Sequence, residues 1–132
     1  MPRQNISSGM PMEATVGYCR AVRVGDLVFV AGTTALDEQG KVVAPNDAEK
    51  QSDYVLQKIG RALSEAGASF ADVVRTRMFI TRIGDVAAVG RAHGRVFANV
   101  RPAATMVQVT ALVVPELVIE IEVDAVIGAG KP

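Results

Sequence analysis

Short β-prone runs and two amphipathic helical segments alternate along the 132-residue chain. Near the start, residues 18–23 and 27–31 are apolar, β-prone runs. Gly25-Asp26 separates them and is a turn signal typical of hairpins. After a polar loop, Val42-Val43 is expected to form a minor edge strand. The chain therefore opens with a predicted β-hairpin.

The first helix is predicted over residues 47–66. Apolar residues recur there at helical spacing, namely Val55, Ile59, Ala62, Leu63 and Ala66. Asn46 is expected to be the N-cap, because Glu49 follows it three residues later in a capping-box arrangement. Gly67 is expected to end the helix.

The second half contains a strand at 73–81, a helix capped by Asp85, and strands at 105–112 and 117–127. The helix carries an apolar stripe, namely Val86, Val89, His93, Val96 and Phe97. Arg101-Pro102 ends it. The order β-β-α-β-α-β-β predicts a two-layer α+β domain with both helices on one face of the sheet.

One domain is expected to span residues 1–132, with its core at about 18–127. The chain has neither a sequence repeat nor an internal linker. The segment up to Met12 and the segment from Gly128 to Pro132 are polar or rich in glycine and proline, so both ends are expected to be loose tails.

The sheet face turned away from the helices is unusually polar and charged. Alternation assigns to it Arg75, Arg77, Gln108, Thr110, Glu120, Glu122 and Asp124. Phe79 and Met106 are predicted to share this face. It could simply meet water, as many antiparallel sheets do. Complementary charges beside apolar residues favour the alternative, burial against copies of the same chain.

Composition excludes several classes of site. The formal net charge is zero, with 14 basic and 14 acidic residues, which argues against a general nucleic-acid-binding module. One cysteine and one histidine exclude a disulfide framework and the common Cys/His zinc sites. No apolar stretch reaches membrane-spanning length and no signal-peptide pattern is present, so a cytoplasmic protein without membrane association is expected. No cofactor-binding motif occurs, and neither a metal nor a cofactor is predicted.

Few residues remain as candidates for chemistry, and each has a structural alternative. A lone histidine on an apolar stripe, such as His93, is more often a hydrogen-bonded boundary residue than a catalyst. Arg20 lies close to Cys19 and could favour the reactive thiolate form of its side chain, but a cysteine on a strand is more often simply buried. Gly32-Thr33 ends a strand, where it forms either a simple turn or a ligand contact. Glu120 and Glu122 point the same way on one strand, so one is functional or both form salt bridges.

Several segments together resemble the RidA (YjgF/YER057c/UK114) family in order and spacing. They are Gly17-Tyr18, Val28–Gly32, Val74–Phe79, Arg101–Thr105 and Ile119–Glu122. The resemblance implies a chorismate-mutase-like α+β fold, a homotrimer built as a trimeric barrel, and ligand clefts between subunits. It also implies hydrolysis of reactive enamines or imines to carbonyl compounds and ammonia.

The family site maps onto this chain with one decisive departure. The family tyrosine corresponds to Tyr18, and the glutamate that positions water corresponds to Glu120. The arginine that clamps the substrate carboxylate corresponds to Ala104. A serine before the strand-end glycine is Ala31 here, and a polar residue of the second helix is Gly90. The chain therefore resembles an arginine-less, divergent subfamily.

We therefore expect Glu120 to act as general base in a small-molecule cleft. The expected substrate-binding residues are Tyr18, Gly32, Thr33, Arg77, His93, Arg101, Ala104 and Thr105. Arg77 is the favoured replacement for the missing arginine, because alternation places it on the face of Glu120. The alternative function is a non-catalytic trimeric protein that binds a small metabolite, and endoribonuclease activity is the least favoured. Neither the substrate nor its pathway follows from the sequence.

Overall fold

Six strands form one mixed sheet in the order β1-β2-β3-β6-β4-β5 in the computed structural model, which describes residues 2–131. The strands are β1 (Arg3–Ile6), β2 (Ala21–Val24), β3 (Leu27–Thr33), β4 (Val73–Ile80), β5 (Ala103–Gln108) and β6 (Ile119–Val126). The helices are α1 (Pro11–Val16), α2 (Ala48–Glu65) and α3 (Val86–Phe97), with 3₁₀ turns at Phe70–Asp72 and Ile83–Asp85.

The two long helices connect parallel strands. Strands β4 and β5 are parallel neighbours joined by α3. Strand β6 runs antiparallel to both β3 and β4, so β3 and β4 are parallel to each other with β6 inserted between them. The predicted α+β class is confirmed. Placing the last strand in the middle of the sheet brings the residues of β6 against both halves of the chain.

The core lies between the sheet and the two long helices. Strand β6 alternates as predicted, with its buried residues at Ile119, Ile121, Val123 and Ala125. The apolar side of α2 packs on this layer through Val55, Leu56, Ile59 and Leu63. The opposite residues of β6 face away from the helices and carry the carboxylates of the outer face.

Both chain ends are more ordered than expected. Residues 3–6 pair with β2, and Ile6 is buried. The carboxylate of Glu13 accepts hydrogen bonds from Ser7 Oγ at 2.8 Å and from the Ser8 amide at 2.9 Å. The prediction of a loose N-terminus was wrong, because strand pairing and one buried carboxylate stabilise a segment with no strong periodicity of its own.

The C-terminal residues are held in a similar way. The Asp72 side chain accepts hydrogen bonds from the amides of Gly128 and Gly130, at 3.1 and 3.2 Å. The expectation of a loose tail was therefore wrong up to residue 131. Pro132, and Met1 at the other end, lie outside the described residues.

Local boundaries also differ from prediction. The N-cap of α2 is Asp47, whose side chain accepts from the Lys50 amide at 3.0 Å, whereas Asn46 adopts a positive φ of 63°. The first strand of the hairpin begins at Ala21, so Tyr18 precedes it. Val42 forms only an isolated bridge with Leu36. At the start of α2, the hydrogen bond from the Lys50 amide to Asp47 sets the boundary.

The register of β5 changes which residues share the outer face. Met106 is level with the buried Met78, and Gln108 is level with the buried Ile80. Both therefore belong to the helix-facing side, and the prediction that they lie on the outer face was wrong. Thr105 and Val107 take their place, beside Arg77 and Phe79 respectively. Thr110 lies beyond the end of the strand.

Candidate functional site

The carboxylate of Glu120 lies directly against the backbone of Gly32. A side chain at position 32 would collide with Glu120 Oε2, so only glycine leaves room for the carboxylate. Glu120 is half-buried, and no residue in the range 2–131 donates a hydrogen bond to its oxygens. A carboxylate in this state has acceptor capacity left for a ligand or a water molecule.

Arg20 is the cation of this site. Its Nη2 donates at 2.6 Å to the carbonyl of Gly32, the residue against which the Glu120 carboxylate lies. The attraction between the two side chains acts to lower the pKa of Glu120. The Arg20 Nε is buried and has no hydrogen-bond partner within the described residues. Arg20 therefore keeps donor capacity, as Glu120 keeps acceptor capacity.

Tyr18 completes the group from the segment before β2. The Arg20 guanidinium carbon lies 5.8 Å from the centre of the Tyr18 ring, within the range of a cation–π contact. Cys19 donates through Sγ to the Ala21 carbonyl at 3.3 Å. Tyr18, Arg20, Gly32 and Glu120 thus form a compact set, which we call the Glu120 site.

Burial raises the pKa of Glu120 above its usual range. Arg20 opposes this effect, and the nearby carboxylate of Glu122 reinforces it. A base is most effective when its pKa approaches the working pH, so this upward displacement suits proton transfer.

Arg77 shares the outer face with Glu120 but binds other partners. Its Nη1 lies 3.2 Å from Glu122 Oε1 and 3.4 Å from Asp124 Oδ2. Of the two glutamates on β6, Glu122 is therefore the one that forms a salt bridge. Glu120 is level with Phe79 on the neighbouring strand, two positions beyond Arg77.

His93 lies on the helix side of the sheet, opposite Glu120. Its Nε2 is 2.9 Å from the hydroxyl of the buried Thr76, and its ring packs against Phe97 with centroids 4.6 Å apart. Burial lowers the pKa of His93. Within one chain, this histidine is a hydrogen-bonded residue of the helix–sheet boundary and does not reach the Glu120 site.

The remaining predicted residues divide by location. Thr33 is fully buried, and its hydroxyl donates to the Ala31 carbonyl at 2.8 Å. Arg101 is exposed, with a positive φ of 56° that places it in a tight turn before β5. Ala104 and Thr105 are exposed on β5, which is the edge strand of the sheet. The structure does not bring these three β5-side residues to Glu120 within one chain.

Sequence reasoning missed Arg20 as part of the site. Its contact with Gly32 joins two strands of the hairpin across 12 positions. A usable signal was present, because Arg20 lies two residues after Tyr18, and a cation there is a natural partner for a half-buried glutamate.

The structure also bears on metals and membranes. Among residues 2–131, no cluster of three or more His, Cys, Asp or Glu side chains is arranged to hold a metal ion. None of the helices described is both long and apolar enough to cross a bilayer.

Comparison with known proteins agrees with the fold and with the motifs. The family model described as Endoribonuclease L-PSP matches residues 9–127. The chain belongs to this family. It also carries the name YjgF/YER057c/UK114 family, under which the structure of Rv2704 from Mycobacterium tuberculosis is described. That protein is 45% identical to this chain, with a TM-score of 0.87, and the match covers 96% of this chain and 100% of the other.

Two further relatives of this YjgF-family chain extend the comparison. An uncharacterized protein of Streptomyces coelicolor is 36% identical over 126 residues, covering 96% of this chain and 93% of the relative. The 3-aminoacrylate deaminase RutC of Acinetobacter baylyi is 35% identical over 121 residues, covering 92% and 95% respectively. One relative of this YjgF-family protein is therefore named for a deamination.

Proposed function

We propose that this protein is an enamine or imine deaminase that uses Glu120 to activate water at a small-molecule site. The observation that carries the proposal is the state of the Glu120 carboxylate, which is half-buried, accepts no hydrogen bond within residues 2–131 and is attracted by Arg20. The name of the RutC relative supports the same reaction class.

The reaction follows from these two groups. Water bound to Glu120 adds to the carbon of a protonated C=N bond, and the carboxylate takes one proton from that water. The protonated Glu120 returns that proton to the nitrogen of the carbinolamine. As the C–N bond breaks and ammonia leaves, the carboxylate takes the hydroxyl proton and the C=O bond forms. An enamine enters the same route after protonation at carbon gives its imine. Water is the only co-reactant, and no group is oxidised or reduced.

The substrate is expected to differ from a simple amino-acid imine. Ala104 stands where the family resemblance calls for an arginine, and it provides no donor for a carboxylate. Losing one partner of a buried charge pair commonly costs several kcal/mol, of order 2–5. We therefore expect little acceleration of 2-aminoacrylate hydrolysis and a preference for another imine.

A homotrimer with intersubunit clefts is part of the proposal. The outer face carries large exposed apolar side chains, including Leu27, Phe29 and Val107 at 44%, 46% and 43% exposure. Association of copies would bury them. It would also give Arg101 and Thr105, on the edge-strand side of one copy, a route to the Glu120 site of another.

The experiment couples an amino-acid oxidase to the purified protein and follows decay of the imines it releases. Wild-type protein is expected to accelerate decay of at least one imine, and Glu120→Gln to abolish the acceleration. Glu116→Gln is the matched control, since Glu116 is exposed and its side chain has no bond within the described chain. Equal activity of Glu120→Gln and wild type would overturn the assignment of the base.

The competing function is metabolite binding without turnover, favoured by the alanine at position 104. Saturable binding of an imine analogue by calorimetry, with no acceleration for any imine tested, would establish it. Ribonuclease activity is tested in the same preparation with a labelled RNA, and zero net charge leads us to expect no cleavage.

A further inference from the structure

A cavity of about 290 Å³ lies between the N-terminal segment, the loop after β3 and helix α2. Its lining includes Arg20, Asp37, Tyr54, Lys58 and Arg61. Glu120 is not among the lining residues. Pockets for small molecules begin at roughly 300 Å³, so this cavity has room for a small metabolite.

Lys58 projects into the cavity from α2. Its ammonium donates to the Thr34 carbonyl at 2.8 Å and to the Leu36 carbonyl at 2.9 Å. An ammonium has three N–H donors, so one is left for a ligand. Burial lowers the pKa of Lys58 to about 8; Arg20 and Arg61 add to the effect, while Asp37 opposes it.

Arg20 supplies a second desolvated cation on the same cavity. Only its Nη2 is engaged, by the Gly32 carbonyl, and its buried Nε has no partner within the described residues. Arg20 lowers the affinity of Lys58 for a proton, and an anion between two such half-buried cations would stabilise both charges. The cavity therefore favours an anion on electrostatic grounds.

Glu120 attracts Arg20 from outside the cavity lining, whereas the acidic side chains at or near the lining are engaged by other groups or exposed. Asp37 Oδ1 already accepts from the amides of Gln39 and Lys41, both at 2.9 Å. Glu13, which acts on Arg20, is engaged by Ser7 and Ser8. Glu65 is exposed, and the rim pair of Arg61 and Glu38 is 3.9 Å apart, with side chains 69% and 82% exposed. Exposed charges of this kind are screened by solvent.

We propose that this cavity binds the carboxylate or phosphate group of a small metabolite, with Lys58 Nζ and Arg20 as the donors. The hydroxyl of Tyr54, whose ring lies 5.9 Å from Lys58 Nζ, is in the same lining. The site does not depend on the function proposed for Glu120.

The test is a pH titration of the lysine ε-carbon resonances of the wild-type chain by NMR, in sodium chloride, sodium acetate or sodium phosphate at matched ionic strength. The chain has four lysines, Lys41, Lys50, Lys58 and Lys131, so the resonances are separable. A bound anion is expected to raise the Lys58 midpoint by about one pH unit and to leave Lys50 unchanged. A larger effect of acetate than of phosphate would identify the carboxylate as the ligand, and the reverse would identify the phosphate.

Calorimetry with the more effective anion provides the second measurement. Lys58→Met is expected to weaken binding at least about tenfold, whereas Lys50→Met on the same helix has no effect. Glu120→Gln removes a negative charge that attracts Arg20, so it is expected to abolish imine hydrolysis without weakening anion binding, which separates this site from the deaminase proposal. An unchanged Lys58 titration in both anions would overturn the proposal without needing Lys58→Met to fold. Equal losses in the two lysine variants would also overturn it.

Discussion

The carboxylate of Glu120 occupies the space above Gly32 in which a β-carbon would lie. These residues are brought together because β6 inserts beside β3 in the sheet. Arg20 also donates a hydrogen bond to the Gly32 carbonyl. A glycine, a carboxylate and a guanidinium from three strands or their ends thus define the site, although each is unremarkable in the sequence taken alone.

Gly32→Ala is expected to displace the Glu120 carboxylate. The clash is with the end of a flexible side chain, so the free energy of unfolding should change by less than about 1 kcal/mol. Imine hydrolysis should fall at least about tenfold, since small misplacements of a base are costly. Gly84→Ala is the control, because a β-carbon there meets nothing within 4 Å. Full activity in Gly32→Ala would contradict the role of this contact.

Glu120→Gln is expected to raise the free energy of unfolding at neutral pH. The pKa of Glu120 is raised in the folded state, mainly by burial, so the folded chain binds more protons than the unfolded chain above the unfolded pKa. Stability is then lost as pH rises through that window, and glutamine removes the loss. Urea unfolding at pH 4 and pH 8 measures the difference, which should be present only at the higher pH.

His93 is expected to make the protein less stable in mild acid. Burial lowers its pKa in the folded state, so below about 6.5 the unfolded chain binds the extra proton and stability falls. His93→Gln should flatten this dependence between about pH 5 and 7. The chain contains one histidine, so no second imidazole contributes to the slope. An unchanged slope would show that the ring is solvated.

Thr76→Val tests the hydrogen bond between Thr76 and His93 directly. It conserves shape but leaves the His93 Nε2 unpaired in a half-buried position. The cost is expected to be about 1–3 kcal/mol, measured by urea unfolding at pH 8. A loss well below that range would mean that water replaces the hydroxyl.

Gln51→Met is expected to destabilise the fold by about 2–4 kcal/mol. The buried Gln51 amide donates to the Ala44 and Glu116 carbonyls, and its oxygen accepts from the Val118 amide at 2.9 Å. Methionine fills similar space but leaves these groups unpaired. Gln57→Met on the same helix is the control, because Gln57 is exposed and should change stability by less than about 0.5 kcal/mol.

Phe29→Ser is expected to weaken association of copies through the outer face. Light scattering should give three chain masses for the wild type and a smaller mass for the variant at micromolar concentration, because a large exposed aromatic residue is lost from the apolar contact. Ile83→Ser is the control, since Ile83 is 64% exposed but precedes α3, away from the outer face. A monomeric wild type would remove the proposed intersubunit cleft.

Local patterns were sufficient for the helices and the strand cores. Helix α2 was predictable because one apolar stripe recurs over its whole length, and β6 because its alternation is strict. The family and its glutamate were predictable because Tyr18, Gly32 and Glu120 occur in recognisable segments. These features depend on neighbours in the sequence, or on a motif that already encodes the fold.

Other features depend on partners distant in the sequence. Pairing with β4 set the register of β5, and a shift of one residue moves every side chain to the other face, as it did for Met106 and Gln108. Arg77 was expected beside Glu120 because alternation places both on one face of the sheet. Alternation does not specify the partner on that face, and Arg77 pairs with Glu122 and Asp124.

The sequence by itself determined the α+β fold, the family and the candidate carboxylate, since periodicity and motifs are local properties. Only the tertiary structure decided which cation accompanies that carboxylate. Arg20 reaches Gly32 across the hairpin, while His93 is directed into the helix–sheet boundary by Thr76. The physical reason is that hydrogen bonds and burial decide which of several positively charged side chains accompanies the carboxylate. Both arise only when the strands lie side by side in the sheet.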